Sequence, residues 1–128
     1  MPFVRISVDS STTPKQREAV AQAVYEAMRA TIGIPEGDKF ILVTPRGEAE
    51  LFVDPDFMGV KRTNKYILVR ILLKVGRTPE QKQALYARIA EGVHQAAGVA
   101  SDDVMVILTE NANPDWSFGK GLAQFLTK

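Results

Sequence analysis

Apolar residues recur along this chain in two patterns. Short runs rich in Val, Ile, Leu and Phe fall at 3–8, 39–44, 66–74 and 103–109 and read as β-strands. Between them, Val20, Ala23, Val24, Ala27 and Thr31 keep helical spacing up to Gly33, and Leu85, Ile89, Val93 and Ala96 do so up to Gly98. Each helical stretch opens on the same signal, Thr13-Pro14-Lys15-Gln16 in the first and Thr78-Pro79-Glu80-Gln81 in the second. This is a capping box with proline at the first helical position, where a backbone N–H is not needed. A glycine just past the last apolar position is the usual helix stop. Two helices of close to five turns are expected.

The two patterns are one pattern used twice. At a constant offset of 65 positions, and without a gap, Val4, Arg5 and Ile6 fall on Val69, Arg70 and Ile71, and Thr13, Pro14 and Gln16 fall on Thr78, Pro79 and Gln81. Gly33, Asp38 and Thr44 fall on Gly98, Asp103 and Thr109. Each copy reads strand, helix, strand, and a right-handed crossover makes the two strands of a copy parallel. The expectation is a single domain over 1–128, with repeat units at about 2–45 and 66–110, a linker at 46–65 and an aromatic tail at 111–128. Its fold class is α/β (α+β in some schemes), tandem βαβ units forming a four-stranded mixed sheet with both helices on one face. In the linker, Pro45, Gly47, Pro55, Asp56 and Gly59 mark turns, and Glu50 to Val53 reads as a short edge strand.

Tyr66 to Leu73 and Val104 to Leu108 are nearly continuous apolar runs, the pattern of strands covered on both faces. Two helices cover only one face. The other calls for a partner, so an oligomer packed through its sheet faces is expected, with Arg5 and Arg70 on that face and paired with carboxylates of a neighbour. In the tail, Trp116, Phe118 and Phe125 are too apolar to be left in water. They read either as a lid or subunit contact, or as the wall of a small pocket.

Composition narrows the chemistry. Sixteen basic and fifteen acidic residues give a formal charge of +1, with no basic block to track a phosphate backbone, so nucleic acid is not an expected partner. The chain has no cysteine and one histidine, His94, which excludes thiol catalysis and leaves no set of zinc ligands. No apolar run approaches membrane-spanning length and the opening residues lack a signal-peptide pattern. A cytoplasmic protein without a membrane, metal or cofactor is expected. His94 reads as an exposed side chain, and Tyr25 and Tyr86 as helix packing residues.

What remains is Pro2. Directly behind Met1, it becomes the amino terminus if the initiator is removed, and its ring nitrogen becomes a secondary amine. An α-amino group titrates at about 7.7–8.0 when unperturbed, close enough to neutrality for burial and neighbouring charge to choose between a base and an acid. A tandem βαβ chain whose first strand begins at such a proline resembles the tautomerase superfamily. Asp115-Trp116-Ser117-Phe118-Gly119, with Ala123-Gln124-Phe125-Leu126-Thr127, resembles the tail of its malonate semialdehyde decarboxylase subgroup. The resemblance runs over essentially the whole chain. It implies a homotrimer with a tautomerase-like (macrophage migration inhibitory factor-like) fold and no cofactor. It implies Pro2 as the catalytic amine, Asp38 as the aspartate working with it, Arg77 as a pocket arginine, and Trp116, Phe118 and Phe125 as substrate-binding aromatics. One departure stands out, because the first of two pocket arginines is replaced by Val75. Lys74 alternates onto the other face of its strand and is not taken as a substitute. Arg62-Thr63 is a further point of similarity with no evident role.

The function expected is a keto–enol tautomerase of small 2-oxo or enol acids, with Pro2 as general base and then acid. A malonate semialdehyde decarboxylase or hydratase with a cationic Pro2 is the alternative. A non-catalytic trimeric interaction protein is the alternative from another class.

Overall fold

A computed structural model of the chain describes residues 2–126. The expected removal of Met1 and the Thr127 of the tail motif lie outside the described residues. The order of elements is β1 (Phe3–Asp9), α1 (Pro14–Ile32), β2 (Ile41–Arg46), β3 (Ile67–Lys74), α2 (Pro79–Ala97) and β4 (Val104–Asn111). Three single turns of 3-10 helix punctuate the connections. The strands form one sheet in the order β2-β1-β3-β4. Strands β1 and β2 are parallel, as are β3 and β4, and the two βαβ units meet through an antiparallel β1–β3 ladder. In that ladder Arg5 faces Arg70, its own equivalent in the repeat, so the internal two-fold passes between the two arginines.

Both helices are 19 residues long and both begin as the sequence predicts. Thr13 Oγ1 accepts from Gln16 N at 3.1 Å while Gln16 Oε1 accepts from Thr13 N at 2.9 Å, and Thr78 with Gln81 repeats the exchange at 3.2 and 2.9 Å. The helices lie side by side on one face of the sheet. They cross so closely that a Cβ on Gly92 would stand 3.2 Å from the Ala23 Cβ, which explains a glycine inside α2. Val4, Ile6 and Val8 of β1 and Ile67, Val69, Ile71 and Leu73 of β3 point at them and are fully buried with Val20, Val24, Leu85, Ile89 and Val93. Period-two alternation sends the other strand residues to the opposite face. There Arg5, Leu42, Arg70, Leu72, Met105 and Ile107 are exposed, the uncovered and partly apolar face that the sequence implies.

The linker departs from expectation. Glu50–Val53 is no strand: Glu50 folds back so that its carboxylate accepts from Gly47 N at 2.8 Å, and Phe52 is 82% exposed. Strand β2 instead runs on through Pro45 to Arg46, paired with Val8 and Asp9. Proline is tolerated there because β2 is an edge strand and one side of its backbone needs no ladder donor. The Arg62-Thr63 pair acquires a role. Arg62 Nη1 donates to the carbonyls of Phe57 (2.9 Å), Asp54 and Val60, and so closes the exposed loop on itself. Thr63, itself exposed, donates through its N–H and hydroxyl to the two carboxylate oxygens of buried Asp103 at 2.6 and 2.5 Å.

A hydrogen bond to a charged group contributes about 1.5–3 kcal/mol, and more is lost when the buried partner stays behind. Thr63→Val should therefore lower the unfolding free energy by about 1.5–3 kcal/mol in urea titration. An unchanged midpoint would show that Asp103 finds another donor.

Candidate active site

Because β1 and β3 are antiparallel, the beginnings of β1 and β2 and the ends of β3 and β4 share one end of the sheet. A cavity of about 470 Å³ opens there, lined by the turn after α1 (Gly33, Ile34, Pro35 and Asp38), by Lys74 to Arg77, by Gln81 and by Phe125. Pro2 is buried at the same end, in the residue before β1 and beside the Leu73–Lys74 end of β3. The structure thus gathers Asp38, Arg77 and Phe125 on one cavity, with Pro2 buried at the same end of the sheet but not among the residues that line the cavity.

Asp38 is 4% exposed. Burial pushes its carboxyl above the ordinary value, while the positive charges of the amino terminus and of Arg77 oppose the rise. Asp38 therefore lies within electrostatic reach of Arg77. Its turn is fixed by Tyr25, a buried residue of α1 whose hydroxyl accepts from Gly37 N at 2.9 Å. Arg77 is half-buried, and its guanidinium is tethered by Nη1 donating to the Lys74 carbonyl at 3.3 Å.

The tail aromatics form one cluster. Trp116 and Phe118 stack at 5.6 Å, and Phe125 meets both edge-on, at 5.2 Å from Phe118 and 6.4 Å from Trp116. The return of the chain needs Gly119, Lys120 and Gly121 all at positive φ, which glycine adopts without cost at two of the three. Trp116 Nε1 donates to Asn111 Oδ1 at 2.8 Å, and Gln124 clasps the turn through Phe118 N and the Gly119 carbonyl. Phe125 reaches the cavity, with Trp116 and Phe118 stacked behind it. Phe40, unnoticed in the sequence, extends the cluster by packing 6.0 Å from Phe118.

Two expectations need correction. Lys74 does alternate away from the helices, but the tail covers that face, and its ammonium sits 4.1 Å from the centroid of Phe125 on the cavity wall. Strand parity alone gave no sign of this, because the tail's position is a tertiary feature. Tyr86 is no packing residue, since it lies on the outer side of α2, 38% exposed. His94 is exposed as expected, with Nδ1 2.9 Å from the Val99 carbonyl.

A second cavity, of about 420 Å³, lies at the opposite end of the sheet, and the offset of 65 maps the first onto it. Asp38 becomes Asp103, Gly33 becomes Gly98, Gln81 becomes Gln16 and buried Pro2 becomes buried Ile67. The chemistry does not survive the mapping. Arg77 corresponds to Thr12 and Lys74 to Asp9, Ile67 is inside the chain and has no free amine, and Asp103 is capped by Thr63. At one end Lys74 and Arg77 line the cavity, and at the other the linker residues Thr63 and Lys65 reach its wall, where they engage Asp103 and Asp9.

Comparison with known proteins agrees with this geometry. Residues 38–119 match the family model described as tautomerase enzyme. The probable tautomerase YusQ of Bacillus subtilis (strain 168) is 37% identical over 126 residues, which span 98% of this chain and 99% of that protein. Together these place the chain in the tautomerase family. A crystal structure of FG41 malonate semialdehyde decarboxylase inhibited by 3-bromopropiolate superposes with a TM-score of 0.90 at 35% identity, covering 96% of this chain and 93% of that one. A fused 4-OT wild-type symmetric trimer shares the fold, with a TM-score of 0.80 at 24% identity, over 98% of this chain and 99% of its own.

The raised carboxyl of Asp38 has a consequence for stability. The folded state holds the proton to higher pH than the unfolded chain, whose reference is 3.8, so stability declines as pH rises through the folded value and stays lower above it. Asp38→Asn removes that decline. Its Tm relative to the unsubstituted protein should improve from about pH 4 toward neutrality. A difference that stays constant with pH would remove the raised carboxyl from the account.

Proposed function

We propose that this chain is a cofactor-independent keto–enol tautomerase of small 2-oxo and enol acids, in which Pro2, freed by removal of Met1, carries the proton. The observation that supports this most strongly is the convergence at one end of the sheet of buried Pro2 and of a buried Asp38 carboxyl within electrostatic reach of Arg77, beside a cavity walled by Phe125.

The neutral ring nitrogen takes the hydroxyl proton of the enol. The oxygen lone pair closes to a carbonyl, and the double-bond electrons pass to C3, which receives the proton back from the prolinium. No atom is gained or lost. A general base works best when its pKa lies near the operating pH, and an α-amine needs little adjustment to get there. Arg77 binds the substrate carboxylate and offsets the charge that grows on the oxygen, in a water-poor site where such an interaction is strong. Asp38 tunes the protonation of Pro2. The tail aromatics keep the carbanion away from solvent protons. The open sheet face, with its exposed leucines, Met105 and Ile107, packs against further copies in a homotrimer; a fused 4-OT of the same fold is itself a symmetric trimer.

A second reading is favoured by the similarity to FG41 malonate semialdehyde decarboxylase. With Pro2 cationic, the same residues would polarise a 3-oxo acid for loss of carbon dioxide or for hydration. Val75 in place of an arginine argues against it, since a single guanidinium grips a carboxylate less rigidly than a pair.

Protein with its native terminus should turn over phenylenolpyruvate without releasing carbon dioxide, along an ascending limb as pH rises toward neutrality. Pro2→Ala should cost about 10²–10⁴-fold in kcat/KM, the range for a general base. Arg77→Gln should cost about 10²–10³-fold, the range for a lost oxyanion donor. Carbon dioxide release from malonate semialdehyde, with activity falling through an alkaline pKa, would put the decarboxylase reading first. Turnover indifferent to Pro2→Ala would leave a trimeric interaction protein.

A further inference from the structure

We infer that Lys74 is the second carboxylate anchor of the cavity, supplying from the neighbouring position the positive charge that Val75 lacks, and that it selects for anionic over neutral substrates. The site's electrostatics carry the inference. Lys74 is half-buried on the cavity wall, its ammonium 4.1 Å from the Phe125 centroid. An aromatic face attracts a cation but does not neutralise it. The lysines Lys61, Lys65 and Lys82 each pair with a carboxylate within 3.2 Å, whereas among the described residues Lys74 has no such pair. A partly desolvated, uncompensated cation on a concave wall favours an anion beside it.

The local backbone makes two cations act together. Arg77 holds the Lys74 carbonyl, so guanidinium and ammonium spring from one short segment, with Val75 between them on the exposed rim of the cavity. Two positive side chains against the one carboxylate of Asp38 leave the wall a net attraction for a single negative group. Phe125 holds the lysine stem and head in place, which limits the rotamer freedom that usually weakens a lysine contact. A point-like ammonium beside a planar guanidinium binds one carboxylate with less demand on its orientation than two forks would.

The kinetic arm of the test rests on the tautomerase reading, so a binding arm is run beside it that needs no turnover. In calorimetry, Lys74→Met should weaken 3-phenylpropanoate about tenfold and leave its uncharged amide unaffected, while Lys74→Arg keeps the wild-type affinity. In the kinetic arm, Lys74→Met should raise KM for phenylenolpyruvate about tenfold with kcat within twofold. Adding Val75→Arg to Lys74→Met should restore KM, because the cation returns to the same wall. Equal losses for acid and amide would mean that Lys74 only packs on Phe125, and undiminished acid binding by Lys74→Met would also overturn the inference. If no enol acid is turned over but the acid-specific loss of binding stands, the anchor survives and the tautomerase reading fails.

Discussion

The antiparallel β1–β3 ladder is the constraint on which the rest of this structure depends. A βαβ unit alone buries one helix on two strands; two of them joined across a ladder that pairs Arg5 with Arg70 make a continuous sheet roofed by two helices. The same antiparallel joint decides where chemistry can occur. It brings the start of the first strand, which carries Pro2, to the end of the third, which leads into Lys74–Arg77. Parallel joining of the units would have put these segments at opposite ends. Residues far apart in sequence share a cavity because of one choice of strand direction.

The internal two-fold also supplies a comparison within the molecule. Both ends of the sheet inherit a buried aspartate, a glycine-capped helix end and a capping glutamine. Only one end brings together Pro2, Lys74 and Arg77; the cation of the other, Lys65, is paired with Asp9 at 3.2 Å. At the other, Thr63 of the linker donates to both oxygens of Asp103. A duplicated scaffold thus separates its tasks, with one aspartate held near mobile charge and the other fixed as a structural anchor. This division explains why the linker interrupts the repeat. Its Arg62 ties the loop and its Thr63 holds Asp103.

Much of this was legible in the sequence, and the limits have physical causes. Helix starts and stops were readable because capping is local: Thr13 and Thr78 bond to residues three positions away. The repeat made the sheet readable, and the apolar runs of β3 and β4 revealed the uncovered face. The linker was misread at Glu50–Val53 because a few apolar residues in a row look alike whether they pair or, as with Phe52, project into solvent. Pro45 suggested a turn because proline is punctuation in most contexts, yet an edge strand tolerates it. For Lys74, strand parity shows the face but not the cavity that this face borders. Alternation correctly gives its face, but only the folded-back tail, with glycines at its turn, shows that this face borders the cavity.

A buried carboxyl, a tethered guanidinium and Phe125 line the cavity, and the proposed chemistry is assigned to Pro2, buried at the same end of the sheet. The most direct measurement is an NMR titration of the native protein labelled with ¹⁵N-proline, following the amino-terminal ring nitrogen as pH is varied. A nitrogen that is free, and that loses its proton at or below the ordinary α-amine range of about 7.7–8.0, is the result the account predicts. A terminus still blocked by methionine in active protein, or a proline that stays protonated well above that range, would contradict it.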